Sequence, residues 1–127
     1  MRTVDLVIAG DEGFVIPRAI DALQRGLCVL AVFQPERTTT PGIAARRLRR
    51  TVRRLGEASR SRLVVMSQAI VVCVDGIAHV EAVVIRYVNS GRMCAVNASV
   101  FLCGDAPPDE EPHSSPQLGL QAFRTRL

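Results

Sequence analysis

The residues Ala9-Gly10-Asp11-Glu12-Gly13-Phe14 follow an apolar run and precede a helical pattern. A glycine turn between a strand and a helix can cradle the pyrophosphate of a dinucleotide. Backbone N–H groups and the helix N-terminus attract the anion, and glycines let it approach. Set against G-x-G-x-x-G, the three glycine positions carry Ala9, Asp11 and Phe14. Asp11 puts a carboxylate where a phosphate is expected, and Phe14 is expected to crowd the contact between helix and strand. Further on, Gln34-Pro35-Glu36-Arg37 ends a second apolar run. An acid there can bind ribose hydroxyls, and an arginine suits a 2′-phosphate. A solvated loop is the plainer reading of the same four residues.

Other chemistry finds less support. Residues 42–62 hold eight arginines against one acid, Glu57. Such a helix can bind a cofactor phosphate or a nucleic acid backbone. It can also lie on a sheet with a solvated basic face, which is the plainer reading. All sixteen basic residues are arginine. The cysteines Cys28, Cys73, Cys94 and Cys103 form no C-x-x-C pair, and His79 and His113 lie far from them. No metal site is expected, and the thiols read as small buried hydrophobes. Both histidines read as surface residues and no serine has a histidine near it, so no catalytic residue is assigned.

The elements that must position these residues follow from the apolar pattern. Residues 3–9 (TVDLVIA) read as a buried strand, 10–13 as a turn, and 14–25 as a helix with Pro17 in its first turn. Gly26 stops the helix, and residues 27–33 (LCVLAVF) form a second strand. This is a βαβ unit with parallel strands. Residues 34–42 read as a loop. A helix over 43–59 follows, its apolar face marked by Ile43, Leu48, Val52 and Leu55. Strands are then expected at 63–66, 69–74, 79–88, 92–96 and 99–103, with turns at Asp75-Gly76 and Asn89-Ser90-Gly91. The fold class is α/β: a Rossmann-like βαβαβ core, a three-stranded antiparallel meander and a closing parallel strand. Residues 1–105 form one domain. Residues 106–127, rich in Pro, Ser and acid, form a tail that is expected to be loose.

Composition narrows the class. A chain of 127 residues with 48% hydrophobic and 22% charged residues can bury one core without staples. Its apolar runs are too short to span a bilayer, and no signal peptide is expected at Met1-Arg2-Thr3-Val4-Asp5. No membrane association is expected, and the protein is expected to be cytoplasmic. Few aromatics and a single basic face make nucleic acid the least favoured partner.

The order of elements and the stretch LVVMSQAIVVCVDGIAHVEAVVIRYVNSGRMCAVNASVFLCGD, residues 63–105, resemble the NAD(P)-binding domain of the pyridine nucleotide-disulphide oxidoreductases, in particular the thioredoxin reductase branch. Family members show there a short strand, a strand ending in acid-Gly, a strand of the type hhEAVhhR (h, hydrophobic), a glycine turn, and a strand leading to an apolar run that ends in Gly. The resemblance covers about Val4 to Pro108. It implies a domain that holds NADP or NAD beside a flavin carried by a separate FAD domain. By position, Gly10, Asp11, Glu12 and Gly13 would face the pyrophosphate. Gln34, Glu36 and Arg37 would face the adenosine ribose, and Gly104 the nicotinamide side.

The departures are the altered glycine pattern, the missing C-x-x-C, and the lack of the family's flavin-holding segments in this chain. The ending Gly104-Asp105 also resembles the close of an FAD domain, so FAD stays a lesser alternative. The expected function is a stand-alone or fragmentary NAD(P)-binding domain of a flavin-dependent oxidoreductase, weak or inactive alone. Any remaining hydride chemistry needs a flavoprotein partner. Two alternatives stay open. One is a non-catalytic relic acting as an interaction or assembly module. The other is phosphate or nucleic acid binding through the arginine-rich helix. The face that meets an FAD domain in the family is expected to be covered by a partner or by self-association.

Overall fold

The computed structural model describes residues 2–35, 40–77 and 79–104. The chain begins with β1 (Arg2–Thr3), β2 (Leu6–Gly10), α1 (Glu12–Gln24) and β3 (Val29–Phe33). It continues with α2 (Pro41–Leu55), α3 (Glu57–Ser61), β4 (Leu63–Met66) and β5 (Ala69–Asp75). It closes with β6 (Ala82–Tyr87), β7 (Met93–Asn97) and β8 (Val100–Gly104). One sheet is fully parallel, in the order β4-β3-β2-β8. The other has the order β1-β7-β6-β5, with an antiparallel meander of β5, β6 and β7. The expected α/β class, the parallel core, the meander and the closing parallel strand are all present.

Three layers result, and alternation within the parallel strands builds both interfaces. Leu6, Ile8, Val29, Ala31 and Phe33 pack against α1 and α2. Val7, Ala9, Leu30 and Val32 face the other way, onto Val83, Ile85 and Val96 of the meander. Strands covered on both sides need apolar residues at every position, which is why β2 and β3 read as unbroken runs. No helix of the described residues is long and apolar enough to cross a membrane.

Several boundaries differ from expectation. The run 3–9 is two strands in two sheets. β1 pairs with β7, and Val4 N–H donates to Asn97 O at 2.9 Å. The chain then crosses over at Asp5, whose Oδ2 accepts from Cys28 N–H at 2.8 Å. Asp5→Ala is expected to cost about 1 kcal/mol in urea unfolding, the net value of one such bond. A loss under about 0.3 kcal/mol would mean water replaces the carboxylate freely.

Helix α1 starts two residues early because Asp11 caps it, so Glu12 and Gly13 belong to its first turn. The expected helix 43–59 starts instead at Pro41, a residue well suited to a first helical position. It ends at Gly56, whose φ of 114° suits glycine, and α3 follows as a separate short helix. Its buried face is Ala44, Ala45, Leu48 and Val52, while Ile43 is 49% exposed. Small alanines let α2 approach the sheet, and they carry this contact in place of the larger Ile43 and Leu55. The strand expected at 79–88 spans only Ala82–Tyr87, and His79 is exposed beside Glu81. All four cysteines are half-buried, and Cys28 precedes its strand.

Candidate functional site

The parallel strands end together, and the turn after β2 sits at their carboxyl edge. In this strand order the chain leaves β2 towards β3 and β4 and later returns to β8 on the opposite side. Open α/β sheets bind their ligands at such a reversal point. Gly10 closes β2, in register with Phe33 on one side and Gly104 on the other. Its φ is 149°, and a Cβ there would lie 1.9 Å from the Gly104 carbonyl oxygen. Gly10 is thus required for the approach of two backbones to each other.

Asp11 is the N-cap of α1. Its Oδ1 accepts from Phe14 N–H at 2.8 Å, and its carbonyl accepts from Val15 N–H at 2.9 Å. Glu12 follows in the first turn and accepts from Arg47 Nη1 of α2 at 2.7 Å. Two carboxylates therefore lie at the positive end of the helix dipole. The Glu12–Arg47 pair is largely exposed, so it adds less than about 1 kcal/mol to stability. Its effect is to tie the starts of α1 and α2 together.

Phe14 is 1% exposed and lies against β8. A Cβ on Gly104 would come within 3.0 Å of Phe14 Cε1. The expected crowding by Phe14 is thus absorbed by Gly104, which leaves room for the ring. Arg18 lies one turn on, its guanidinium carbon 3.9 Å from the ring centroid, and its Nη1 donates to Phe14 O at 3.1 Å. Burial lowers the Arg18 pKa from its ordinary value, and the charge of Asp11 works against that shift. A guanidinium stays charged all the same.

The structure brings together Gly10, Asp11, Glu12, Gly13 and Gly104. Gln34 is buried just past the end of β3, on the side of Gly10 away from Gly104. Glu36 and Arg37 lie outside the described residues, so of the three residues expected to face a ribose only Gln34 is described. Three contributors were not among the expected site residues: Phe14, Arg18 and Arg47. The spacing Phe14 to Arg18, four residues on one helix, was a readable signal. The pairing of Arg47 with Glu12 crosses 35 positions and had none. Among the described residues, no group of three or more His, Cys, Asp and Glu could hold a metal ion. A hollow of about 670 Å³ lies elsewhere, between α1 and β8 near the start of the parallel strands, lined by Leu6, Ala22, Leu27 and Val100.

A pyrophosphate does not fit this turn as it stands. The Phe14 N–H already serves the Asp11 carboxylate, and a second anion beside Asp11 and Glu12 would meet like charge. The Phe14 ring fills the space against Gly104, and the Gly10–Gly104 approach closes the ends of β2 and β8 onto each other. The turn keeps the geometry of an anion site and supplies the anion from its own side chain.

Parallel strands with helices on one face and a meander on the other define a Rossmann-like α/β domain. The structure is similar to thioredoxin reductase from Giardia duodenalis, with a TM-score of 0.54 and 14% identity over 80% of this chain. It is also similar to thioredoxin reductase from Streptococcus pyogenes, with a TM-score of 0.50 and 16% identity over 80% of this chain. The chain spans 30% and 32% of the length of those two proteins. At these identities the likeness shows the fold, which is thioredoxin reductase-like. No family model and no curated protein matches the sequence.

Proposed function

We propose that this chain is a nucleotide-type domain of a thioredoxin reductase-like, flavin-dependent oxidoreductase system, inactive in hydride transfer alone. The reading rests on the fold and on the turn at its reversal point. One observation sets the level of activity: the Asp11 carboxylate accepts from Phe14 N–H at 2.8 Å, at the helix end where a bound phosphate would sit. A flavin-carrying partner would complete the path of the hydride. The same observation favours a second reading, in which the domain keeps its fold to make contacts and binds no nucleotide.

Calorimetric titration with NADPH, NADH and FAD separates these readings. The native chain is expected to show no saturable binding up to about 1 mM, about 4 kcal/mol of affinity. Asp11→Gly removes the internal anion while costing only a few tenths of a kcal/mol of helix capping. It is expected to bind NADPH or NADH at least about tenfold more tightly than the native chain, a gain of about 1.4 kcal/mol. Micromolar binding by the native chain would overturn the reading that Asp11 blocks the turn. If Asp11→Gly folds and still binds nothing, the contact-making reading replaces it.

A further inference from the structure

We infer that the outer face of the meander is a self-complementary surface that joins two copies of this chain. An antiparallel sheet with one face in water alternates apolar-in and polar-out. In β5 that alternation is lost. Val71 and Val74 pack inward on the second core, while Val72, the extra residue of a bulge, is 44% exposed. The register groups the outward residues into three rows across β5, β6 and β7. They are Ile70-Arg86-Met93, Cys73-Val84-Ala95 and Asp75-Ala82-Asn97. The middle row is apolar throughout, and Met93 at the rim is 59% exposed. Strand β5 is also an edge of its sheet in the described residues, so an aliphatic face adjoins an unpaired edge.

The rows show what this face fits. A two-fold axis along the middle row stacks Val84 on Val84 and Ala95 on Ala95. It also lays Ile70, Arg86 and Met93 of one copy over Asp75, Ala82 and Asn97 of the other. Arg86 then faces Ala82 of the second copy, with that copy's Asp75 one strand away, about 5 Å to the side. A guanidinium reaches that far, so the Arg86 of each copy can pair diagonally with the Asp75 of the other. No ion pair within the described chain uses either group. This is the isologous pattern of a symmetric dimer. Three strands by five residues measure roughly 14 by 17 Å. Such a small face lies well below the standard interface size, so only a weak, transient dimer is expected. The inference does not rest on the nucleotide reading.

Sedimentation of the full chain from about 5 to 500 μM tests the association. The native chain is expected to move from monomer to dimer across that range. Val84→Asp in the middle row and Met93→Glu at the exposed rim should each keep it monomeric. Asp75→Arg and Arg86→Asp should each weaken the dimer by about fivefold or more, and the double exchange should restore it. The restoration is a result that misfolding cannot produce. A monomer at the highest concentration overturns the inference. So does a dimer that survives Met93→Glu and Val84→Asp unchanged.

Discussion

Gly10→Ala is expected to destabilise the domain by about 3–5 kcal/mol, combining overpacking with a strained φ. The added methyl would lie 1.9 Å from the Gly104 carbonyl oxygen. A backbone atom cannot swing aside as the end of a flexible side chain can. Strand β2 cannot shift either, because β3 and β8 flank it and all five of its residues are buried. The φ of 149° adds backbone strain for any residue with a Cβ. Small domains are stable by only about 5–15 kcal/mol, so this single methyl can remove much of the margin. Urea unfolding followed by far-ultraviolet circular dichroism checks it. A loss below about 1 kcal/mol would mean that β2 and β8 stand further apart than described.

The second large effect is expected from Phe14→Ala, at about 3–5 kcal/mol, the range for deleting a buried aromatic ring. Phe14 is 1% exposed and packs in the cluster shared by α1, β2 and β3. Its removal opens a cavity against Gly104 and leaves the Arg18 guanidinium without the ring it covers. The stacked cation alone is worth about 0.5–1 kcal/mol. The variant also reports on the site, because the ring fills the space beside the reversal point. If the site is blocked mainly by the ring, Phe14→Ala in the Asp11→Gly background should bind nucleotide more tightly than Asp11→Gly alone. Denaturant midpoints measured with and without 1 mM NADPH read stability and binding in one experiment, since a ligand of the native state raises the midpoint. Native-like stability in Phe14→Ala would show that the pocket around the ring collapses at little cost.

Much of the fold was legible in the residues. Apolar runs at 3–9 and 27–33 called for strands covered on both faces, and a helix between them with a short glycine turn called for a parallel pair. Acid-Gly at 75–76 and Ser-Gly at 90–91 marked the turns of the meander. The damage to the glycine pattern was legible as well, since Asp11 and Phe14 are visible without coordinates. An aspartate ahead of a helical pattern is itself a cap signal. Reading it as part of a turn misplaced the start of α1 by two residues.

Apart from the division of the first run into β1 and β2 and of the second helix into α2 and α3, the order of strands and helices, and the presence of an altered anion turn between two of them, came from local pattern alone. Periodicity and turn chemistry act over a few residues and need no partner. Distances between elements came from the folded chain. The division of the first run between two sheets depends on Asp5 reaching Cys28, 23 positions away. The choice of Ala44 and Ala45 over Ile43 as the buried face of α2 depends on how closely the helix meets the sheet. The accommodation of Phe14 depends on a glycine 90 positions later that has no side chain to meet it. A sequence states which residues are apolar and how they alternate. Whether two of them touch is settled by close packing in three dimensions, where a single methyl group separates a fit from a clash.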